Sequence, residues 1–502
     1  MKHNPSQADS TAPDWPASTN PAPGLARRLG LFDMTMLVMG SVIGVGIFKT
    51  PHDVAAVAQG PLLVLSAWVL GGCVALAGSL VYAELTRRRP NVGGQYAYLR
   101  EAYHPAVAFI YGWSLLWIIQ SGGMASVAVV FSDYFIELVH VLGAWLRQNG
   151  NASLPLGPLS ASGEDSLSNA VVKIAAIGTL TLINCAGVRA AGTTQNIFMA
   201  LKILAIVTLV FCGFLFAKSC WSLTETLAGT SHDEARPASS HHWELFIALG
   251  AALVPVFFSY GGWHTTTFVG EEVRDPRRTL SRALILGVAG VMALYVAVSY
   301  VCLRVLGAER LAIADNPAWD VMELALGKPG AVIIAVGIAI SALGFLSQAT
   351  LTSPRVYYAM AKDGLFFRSV AWISPRTRVP VVAILLQGLF ATVIAVSGTF
   401  RQIVYYIMPV EMIFWSLTAL SLFIIRRRDS AEPNSAGLSI LGHPVTTLLF
   451  VAVNLAVLAV QFYQVPLNTV IAIGLALAGV PVYFCWRIWG RKEDSPTPTP
   501  PV

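Results

Sequence analysis

The sequence predicts an all-α membrane protein with twelve membrane-spanning helices, and three observations support this fold class. Of the 502 residues, 55% are hydrophobic and only 12% are charged, and the mean hydropathy is +0.64. Apolar stretches of about eighteen residues or more recur along the chain, and each can cross a hydrocarbon core of about 30 Å as a helix. Two of these stretches are interrupted by glycines. The composition excludes a water-soluble globular protein with an ordinary polar surface.

The apolar stretches define twelve predicted spans, which we number in chain order. A break at Gln59-Gly60-Pro61 separates the first two spans, and proline is favoured in the first turn of the helix that follows. Residues 1–25 and 491–502 are predicted to be disordered cytosolic tails, with no cleavable signal peptide. The spans are predicted at residues 33–58, 62–86, 104–139, 168–186, 194–217, 244–270, 280–303, 329–354, 379–397, 402–425, 442–463 and 466–488.

The distribution of Lys and Arg predicts that both termini are cytosolic and that the protein lies in the plasma membrane, the inner membrane of the cell. On the cytosolic side lie twenty basic residues: Arg27, Arg28, Arg87, Arg88, Arg89, Arg100, Arg189, Arg274, Arg277, Arg278, Arg282, Lys362, Arg368, Arg376, Arg378, Arg426, Arg427, Arg428, Arg491 and Lys492. On the other side lie eight: Arg147, Lys173, Lys218, Arg236, Arg304, Arg310, Lys328 and Arg401. This asymmetry accounts for the net charge of +6, so no nucleic-acid partner is predicted.

The cysteines indicate neither a metal site nor a disulfide framework. The sequence contains no Cys-x-x-Cys pair and no cluster of Cys with His, and its six cysteines are widely separated. It also lacks the Ser/His/Asp or paired-carboxylate pattern of a hydrolytic enzyme. We therefore predict no metal, no cofactor and no enzymatic activity.

Two broken helices indicate an internal repeat. Spans 1–5 (residues 26–218) and spans 6–10 (residues 244–428) each begin with a glycine-interrupted stretch, whereas spans 11 and 12 (residues 440–490) lie outside the repeat. Because each half has an odd number of spans, the two halves cross the membrane in opposite senses. Within a bilayer, irregular backbone is tolerated only where it faces protein or a water-filled cavity. Such paired breaks indicate the midplane binding site of a secondary transporter.

Five motifs resemble those of the amino acid–polyamine–organocation superfamily, and most closely those of bacterial members of its L-type amino-acid transporter branch. They occupy residues 40–48, 89–103, 257–263, 271–278 and 353–364, and the resemblance extends over residues 27–430. It implies a LeuT-like fold with a 5+5 inverted repeat. It also implies sodium-independent transport of amino acids, often by exchange, with an amino acid as the small-molecule partner.

Three functional questions stay open at this stage. The chain resembles exchangers, but a proton-coupled symporter of amino acids or amines and an amino-acid sensor without transport are alternatives. A neutral substrate is favoured because no acidic side chain is expected in the pocket. Animal relatives bind a heavy chain through a cysteine between spans 3 and 4, and residues 140–167 contain no cysteine, so no disulfide-linked heavy chain is predicted.

The break in span 1 is predicted to bind the substrate carboxylate. The segment Val42 to Ile47, which includes Ile43, contains Gly44 and Gly46, and these glycines let the backbone approach a ligand closely. The N–H groups of Val45, Gly46 and Ile47 would bind the carboxylate at the positive end of the second half-helix. Close packing of small residues between helices is the alternative explanation.

The substrate ammonium group is predicted to bind carbonyl oxygens of Val42, Phe258 and Gly261, because a broken helix leaves carbonyls without intrahelical donors. Gly123 in span 3 would leave room for the substrate, although helix packing is an equal alternative. His264 could recognise polar substrates or respond to pH, or it could be a structural histidine of the bundle.

Aromatic residues beside the second break are candidates for a gate. The resemblance implies that Phe258 covers the substrate from outside. Tyr260 and Trp263 are candidates for the same role, with packing in the bundle core as the alternative. On the cytosolic side, Glu271 and Glu272 are expected to pair with Arg274, Arg277 and Arg278 or to lie at a solvated loop end.

Two charged residues are predicted within the membrane. Lys202 lies in the middle of span 5, and the resemblance implies that it replaces a bound sodium ion and connects spans 1, 5 and 8. Its acceptor would be Ser347, Gln348 or a carbonyl near Gly40, and a purely structural ion pair is the alternative. Glu411 in span 10 could carry a coupled proton or bind a neighbouring helix.

Overall fold

The computed structural model describes residues 29–58, 60–90, 93–148, 166–221, 242–429 and 442–493. Within these segments the chain is helical apart from short connections and one isolated β-bridge between Leu29 and Val273. The predicted N-terminal tail and the end of the predicted C-terminal tail lie outside the described residues. The last helix continues to Glu493, slightly beyond the predicted end of span 12.

All twelve predicted spans are helices. Ten helical segments are long and apolar enough to cross a membrane, and the bent pair in span 1 adds an eleventh. Span 9 is an apolar helix of 17 residues. The helices are Leu31–Val42 and Gly46–Val57 (span 1), Pro61–Arg88 (2), Pro105–Ser114, Leu115–Ile119 and Gln120–Gln148 (3), Ser166–Cys185 (4), Val188–Leu215 (5), His242–Tyr260 and Trp263–Glu272 (6), Pro276–Ile313 (7), Lys328–Thr352 (8), Val381–Ser397 (9), Phe400–Asp429 (10), Val445–Gln464 (11), and Pro466–Leu477 with Gly479–Glu493 (12).

Three short α-helices and the 3-10 helix Arg368–Ala371 connect spans within the described residues. Gln95–Ala102 lies between spans 2 and 3, Pro317–Leu326 between spans 7 and 8, and Pro354–Lys362 directly after span 8. We call the face that carries Arg87–Arg89 and Arg426–Arg428 the basic face, and the other the opposite face.

Both predicted helix breaks are present, and they touch each other. The first half of span 1 ends at Val42, Ile43 is extended, and a new helix begins at Gly46 with its axis bent by 41°. In span 6, Gly262 has a φ of +94°, a conformation that favours glycine. A Cβ atom at Gly262 would lie 2.3 Å from the carbonyl oxygen of Ser41. The glycine therefore allows the backbones of the two breaks to approach each other.

The packing of the spans agrees with the predicted inverted repeat. Span 2 packs along span 7, and span 3 packs along span 8, so these repeat-related helices are neighbours. Span 5 lies against span 8 and exposes apolar side chains on its other side, among them Leu204, Val207 and Phe211. An apolar exposed surface is expected where a helix faces lipid.

Candidate substrate-binding site

A small cavity of about 60 Å³ lies between the two breaks and the walls formed by spans 3, 8 and 10. Among the residues predicted to bind substrate, seven line this cavity: Val42, Gly44, Val45, Gly46, Gly123, Phe258 and Gly261. Further lining residues from spans 3, 6, 8 and 10 were not predicted from the sequence, among them Gln120, Ser259, Thr265, Phe345, Met408 and Trp415. The structure thus places the predicted backbone segments around one cavity.

Five other predicted residues are buried but do not line the cavity. The carbonyl oxygen of Ile43 points to Lys202, and Ile47 is fully buried. Tyr260 donates a hydrogen bond to the carbonyl of Trp68 at 3.2 Å, and Trp263 packs edge-on against Tyr82. These contacts favour the packing alternative for Tyr260 and Trp263. His264 lies behind the cavity wall, where it contacts Glu411 and Trp415.

Side chains from three other spans bind the carbonyls of the span 1 break. The Lys202 ammonium donates to Gly40 O at 3.3 Å and to Ile43 O at 2.5 Å. Tyr295 donates to Val42 O at 3.0 Å, and Ser341 to Gly44 O at 2.8 Å. Buried carbonyls need such partners when a helix is interrupted. Spans 5, 7 and 8 therefore hold the break open.

The opposite side of the break offers N–H groups. The second half-helix begins at Gly46, and the first N–H groups of a helix have no intrahelical acceptor. They coincide with the positive end of the helix dipole, which favours an anion. Val42 O, which we predicted to bind the substrate ammonium, already accepts a hydrogen bond from Tyr295 but has a second lone pair.

Lys202 is completely buried and binds span 1 from span 5. Of the three predicted acceptors, the carbonyls at the break are correct. Gln348 instead donates to Thr265 at 3.0 Å, and the Ser347 hydroxyl has no hydrogen-bond partner among the described residues. A Cβ atom at Gly344 of span 8 would lie 2.5 Å from Lys202 Cε. The side chain therefore contacts spans 1 and 8, as the resemblance implied.

An acidic side chain does line the cavity, so the expectation that the pocket contains none is wrong. Glu411 of span 10 reaches the cavity, and its Oε1 lies 3.4 Å from His264 Nε2. The indole N–H of Trp415 donates to His264 Nδ1 at 3.2 Å. The expectation was wrong because sequence position alone does not show which face of span 10 is turned inward.

The aromatic pair Phe258 and Phe400 lies between the cavity and a large vestibule on the opposite face. Phe258 borders the cavity and packs edge-on against Phe400, with 5.7 Å between the ring centroids. Phe400 borders the vestibule, which has a volume of about 1040 Å³. Lys49 and Asp320 also line the vestibule. Burial raises the pKa of the Asp320 carboxyl above its usual value, and the positive charge of Arg310 partly offsets this increase. Phe258 thus occupies the position predicted for an outer gate.

A buried ion pair and a backbone contact link the segments at the basic face. Arg355, in the short helix Pro354–Lys362 that follows span 8, forms an ion pair with Glu272 at 2.9 Å, and both side chains are completely buried. The Leu29 N–H donates to Glu272 O at 3.1 Å, which attaches the start of span 1 to the end of span 6. The prediction that Glu272 pairs with arginines of the following loop is wrong. Its partner, Arg355, comes from a distant part of the chain.

Gly123→Ala tests the cavity with little disturbance of the helices. Its Cβ atom would lie 3.8 Å from the Phe345 ring, an ordinary van der Waals contact, whereas one at Gly46 would lie 2.8 Å from the Ser259 hydroxyl. We expect the KM for threonine to rise about tenfold or more and the KM for alanine to change little, since one methylene changes recognition by about 10- to 200-fold. Competition uptake measures both values.

The control for this variant is Gly178→Ala in span 4, where an added Cβ atom meets nothing within 4 Å. It should transport both amino acids like the wild type. Equal KM values for threonine in Gly123→Ala and in the wild type would show that substrate does not occupy this cavity.

Two broken helices around a midplane cavity, in an inverted repeat with a barrier on each side, define a secondary transporter with alternating access. The chain belongs to the amino acid permease family, whose sequence model matches residues 29–484.

Curated relatives agree with this family. The chain is 27% identical over 493 residues to the large neutral amino acids transporter small subunit 2 of Rattus norvegicus, covering 98% of this chain and 86% of the relative. It is 27% identical over 464 residues to the serine/threonine exchanger SteT of Bacillus subtilis, covering 92% and 97%. It is also 27% identical over 414 residues to the human b(0,+)-type amino acid transporter 1, covering 82% and 78%.

Proposed function

We propose that this protein exchanges neutral amino acids across the plasma membrane by alternating access, without sodium. The observation that carries this proposal is the Lys202 ammonium group on the carbonyls of Gly40 and Ile43. It supplies to the broken helix the donors that its carbonyls need, so no metal cation is required there. The names of the relatives, which include an exchanger and a neutral amino acid transporter, support the same function.

The substrate binds as a zwitterion between the two breaks. Its carboxylate binds the N–H groups at Val45, Gly46 and Ile47, where the helix dipole is positive. Its ammonium group binds carbonyls of Val42, Phe258 and Gly261, where Phe258 O already accepts from the Gly261 N–H at 3.2 Å but has a second lone pair. Both contacts use backbone groups of the protein, so every amino acid substrate makes the same two contacts. The walls formed by spans 3, 8 and 10 select the substrate side chain.

The basic face is proposed to be cytosolic. Arginines cluster there at the ends of spans 2 and 10, as the positive-inside rule requires. The vestibule then opens to the outside and the Glu272–Arg355 pair closes the inside. We propose that the chain works without a disulfide-linked heavy chain, because residues 140–167 contain no cysteine.

Proton-coupled symport is the second candidate function. It is favoured by one observation, the buried carboxyl of Glu411 at the cavity wall. A carboxyl in that position could bind a proton together with the substrate and release it on the other side. Exchange and symport differ in a simple way, because symport needs no internal substrate and responds to a proton gradient.

Proteoliposomes that contain this chain alone test the function. We expect uptake of labelled amino acid only into vesicles preloaded with unlabelled amino acid, with the same rate when choline replaces sodium. Empty liposomes are the control. Uptake into unloaded vesicles driven by an inward proton gradient would favour the symporter, and binding without any uptake would favour a sensor.

A further inference from the structure

Glu411 differs from every other group that lines the cavity. Among the described residues of the cavity wall it is the only ionisable side chain. Its side chain is only 7% exposed, and its Oε2 atom has no hydrogen-bond partner among the described residues. A buried carboxyl oxygen without a donor costs free energy unless a ligand or water supplies one.

The hydrogen bond from Trp415 fixes the protonation of His264. An indole N–H can only donate, so His264 Nδ1, which lies 3.2 Å from it, must be the acceptor and carry no hydrogen. In the neutral imidazole the hydrogen is then on Nε2, which is the atom that faces Glu411 Oε1 at 3.4 Å. His264 therefore places an N–H 3.4 Å from one carboxyl oxygen without a hydrogen bond to it, and the other oxygen is left for a ligand.

The hydroxyl groups of the wall already have partners. Ser259 donates to Pro255 O at 3.0 Å and lies 2.6 Å from the Thr50 hydroxyl. Thr265 donates to Gly262 O at 2.7 Å and accepts from Gln348. Neither hydroxyl needs the substrate, whereas Oε2 of Glu411 lacks a donor.

We propose that Glu411 is a specificity-determining residue that accepts a hydrogen bond from the substrate, so that the site selects small amino acids with a hydrogen-bond donor on the β-carbon. The inference rests on the proposed transport of amino acids. Glu411 lies on span 10 and lines the same cavity as the backbone groups that are proposed to bind the α-amino and α-carboxylate groups. His264 and Trp415 are positioning residues that act through this carboxyl.

The size of the cavity limits the substrate. A single buried water needs a cavity of about 10–15 Å³. The cavity of about 60 Å³ therefore has room for roughly four to six waters. Serine and threonine are the small amino acids with such a donor, and in 2,3-diaminopropionate an ammonium group replaces the hydroxyl. Long cationic or aromatic side chains would need the wall to move.

Competition uptake with isosteric pairs tests the proposal. We expect unlabelled serine to compete better than alanine, and threonine better than valine, by about tenfold to a hundredfold, because a site built for a donor rejects the analogue that lacks it. In Glu411→Met both preferences, measured as ratios of inhibition constants, should fall to about one. Glu411→Gln keeps a carbonyl acceptor and should keep most of the preference.

The positioning role is tested by Trp415→Phe, which keeps a ring but removes the N–H. We expect a smaller serine-to-alanine preference, measured as the ratio of the two inhibition constants in the same variant. Comparison of serine with 2,3-diaminopropionate shows whether the preferred donor is a hydroxyl or an ammonium group, and preference for either over alanine supports the proposal.

A second measurement does not depend on the variants folding. Purified wild-type protein should be protected against thermal unfolding at much lower concentrations of serine than of alanine. Equal potency of serine and alanine in the wild type, or a retained preference in Glu411→Met, would overturn the proposal. Failure of the proposed function would look different, since no amino acid would then be exchanged at all.

Discussion

Lys202→Ala is expected to abolish exchange while it weakens substrate binding much less. The variant leaves the carbonyls of Gly40 and Ile43 without the donors that they have in the wild type. Each unsatisfied buried acceptor costs about 1–3 kcal/mol, against about 0–1 kcal/mol for an exposed ion pair. A change of this size shifts the population between outward-open and inward-open states. Exchange in proteoliposomes and equilibrium binding in detergent measure the two effects separately.

The matched control is Lys328→Ala, which removes an exposed lysine from the first turn of span 8. It should exchange and bind like the wild type. Full flux in Lys202→Ala, or a sodium requirement in the wild type, would show that Lys202 has only a local structural role.

The parts of the site that could be predicted from the sequence are those with a local signal. Glycines within apolar stretches predicted both helix breaks, since few other residues tolerate the backbone of Gly262. A lysine in the middle of span 5 predicted a buried partner, because it is too far from either end to reach water. The same logic identified Glu411 as a candidate site residue.

The parts of the site that could not be predicted from the sequence depend on contacts between distant segments. Tyr295 and Ser341 bind the span 1 break from spans 7 and 8, and nothing in their own neighbourhood distinguishes them from other buried polar residues. The π-helical turn Leu115–Ile119 just before Gln120 in span 3 also has no clear sequence signature. Such a turn changes which residues of the span face the cavity. Predicting the roles of Tyr295, Ser341 and this turn requires knowledge of how the helices pack.

The ion pair between Glu272 and Arg355 shows the same limitation and has a large expected effect. The acidic motif at the end of span 6 indicated an inner ion pair, but its partner lies 83 positions away along the chain. Both side chains are completely buried, and Arg355 Nη1 and Nη2 and Glu272 Oε2 have no hydrogen-bond partner among the described residues. The two charges therefore depend mainly on each other.

Arg355→Met should strongly favour states in which the basic face is open. Removing one partner of a buried ion pair costs about 3–5 kcal/mol, because the remaining charge is left uncompensated. Opening of the basic face would let water reach Glu272 and relieve this cost. We expect a cysteine introduced near Glu272 to react much faster with a membrane-impermeant thiol reagent from the basic side, and exchange to fall by about a hundredfold or more.

The double variant Arg355→Met with Glu272→Leu separates the charge effect from a loss of packing. Replacing both members of a buried pair with apolar residues is often neutral or stabilising, so the closed basic face and the thermal stability should return. If the Arg355 side chain only fills space, the double variant should be at least as unstable as Arg355→Met. Recovery of stability without recovery of exchange would show that the Glu272–Arg355 pair must break and re-form during transport. An apolar contact can close the basic face, but it supplies no charges for water to hydrate when that face opens.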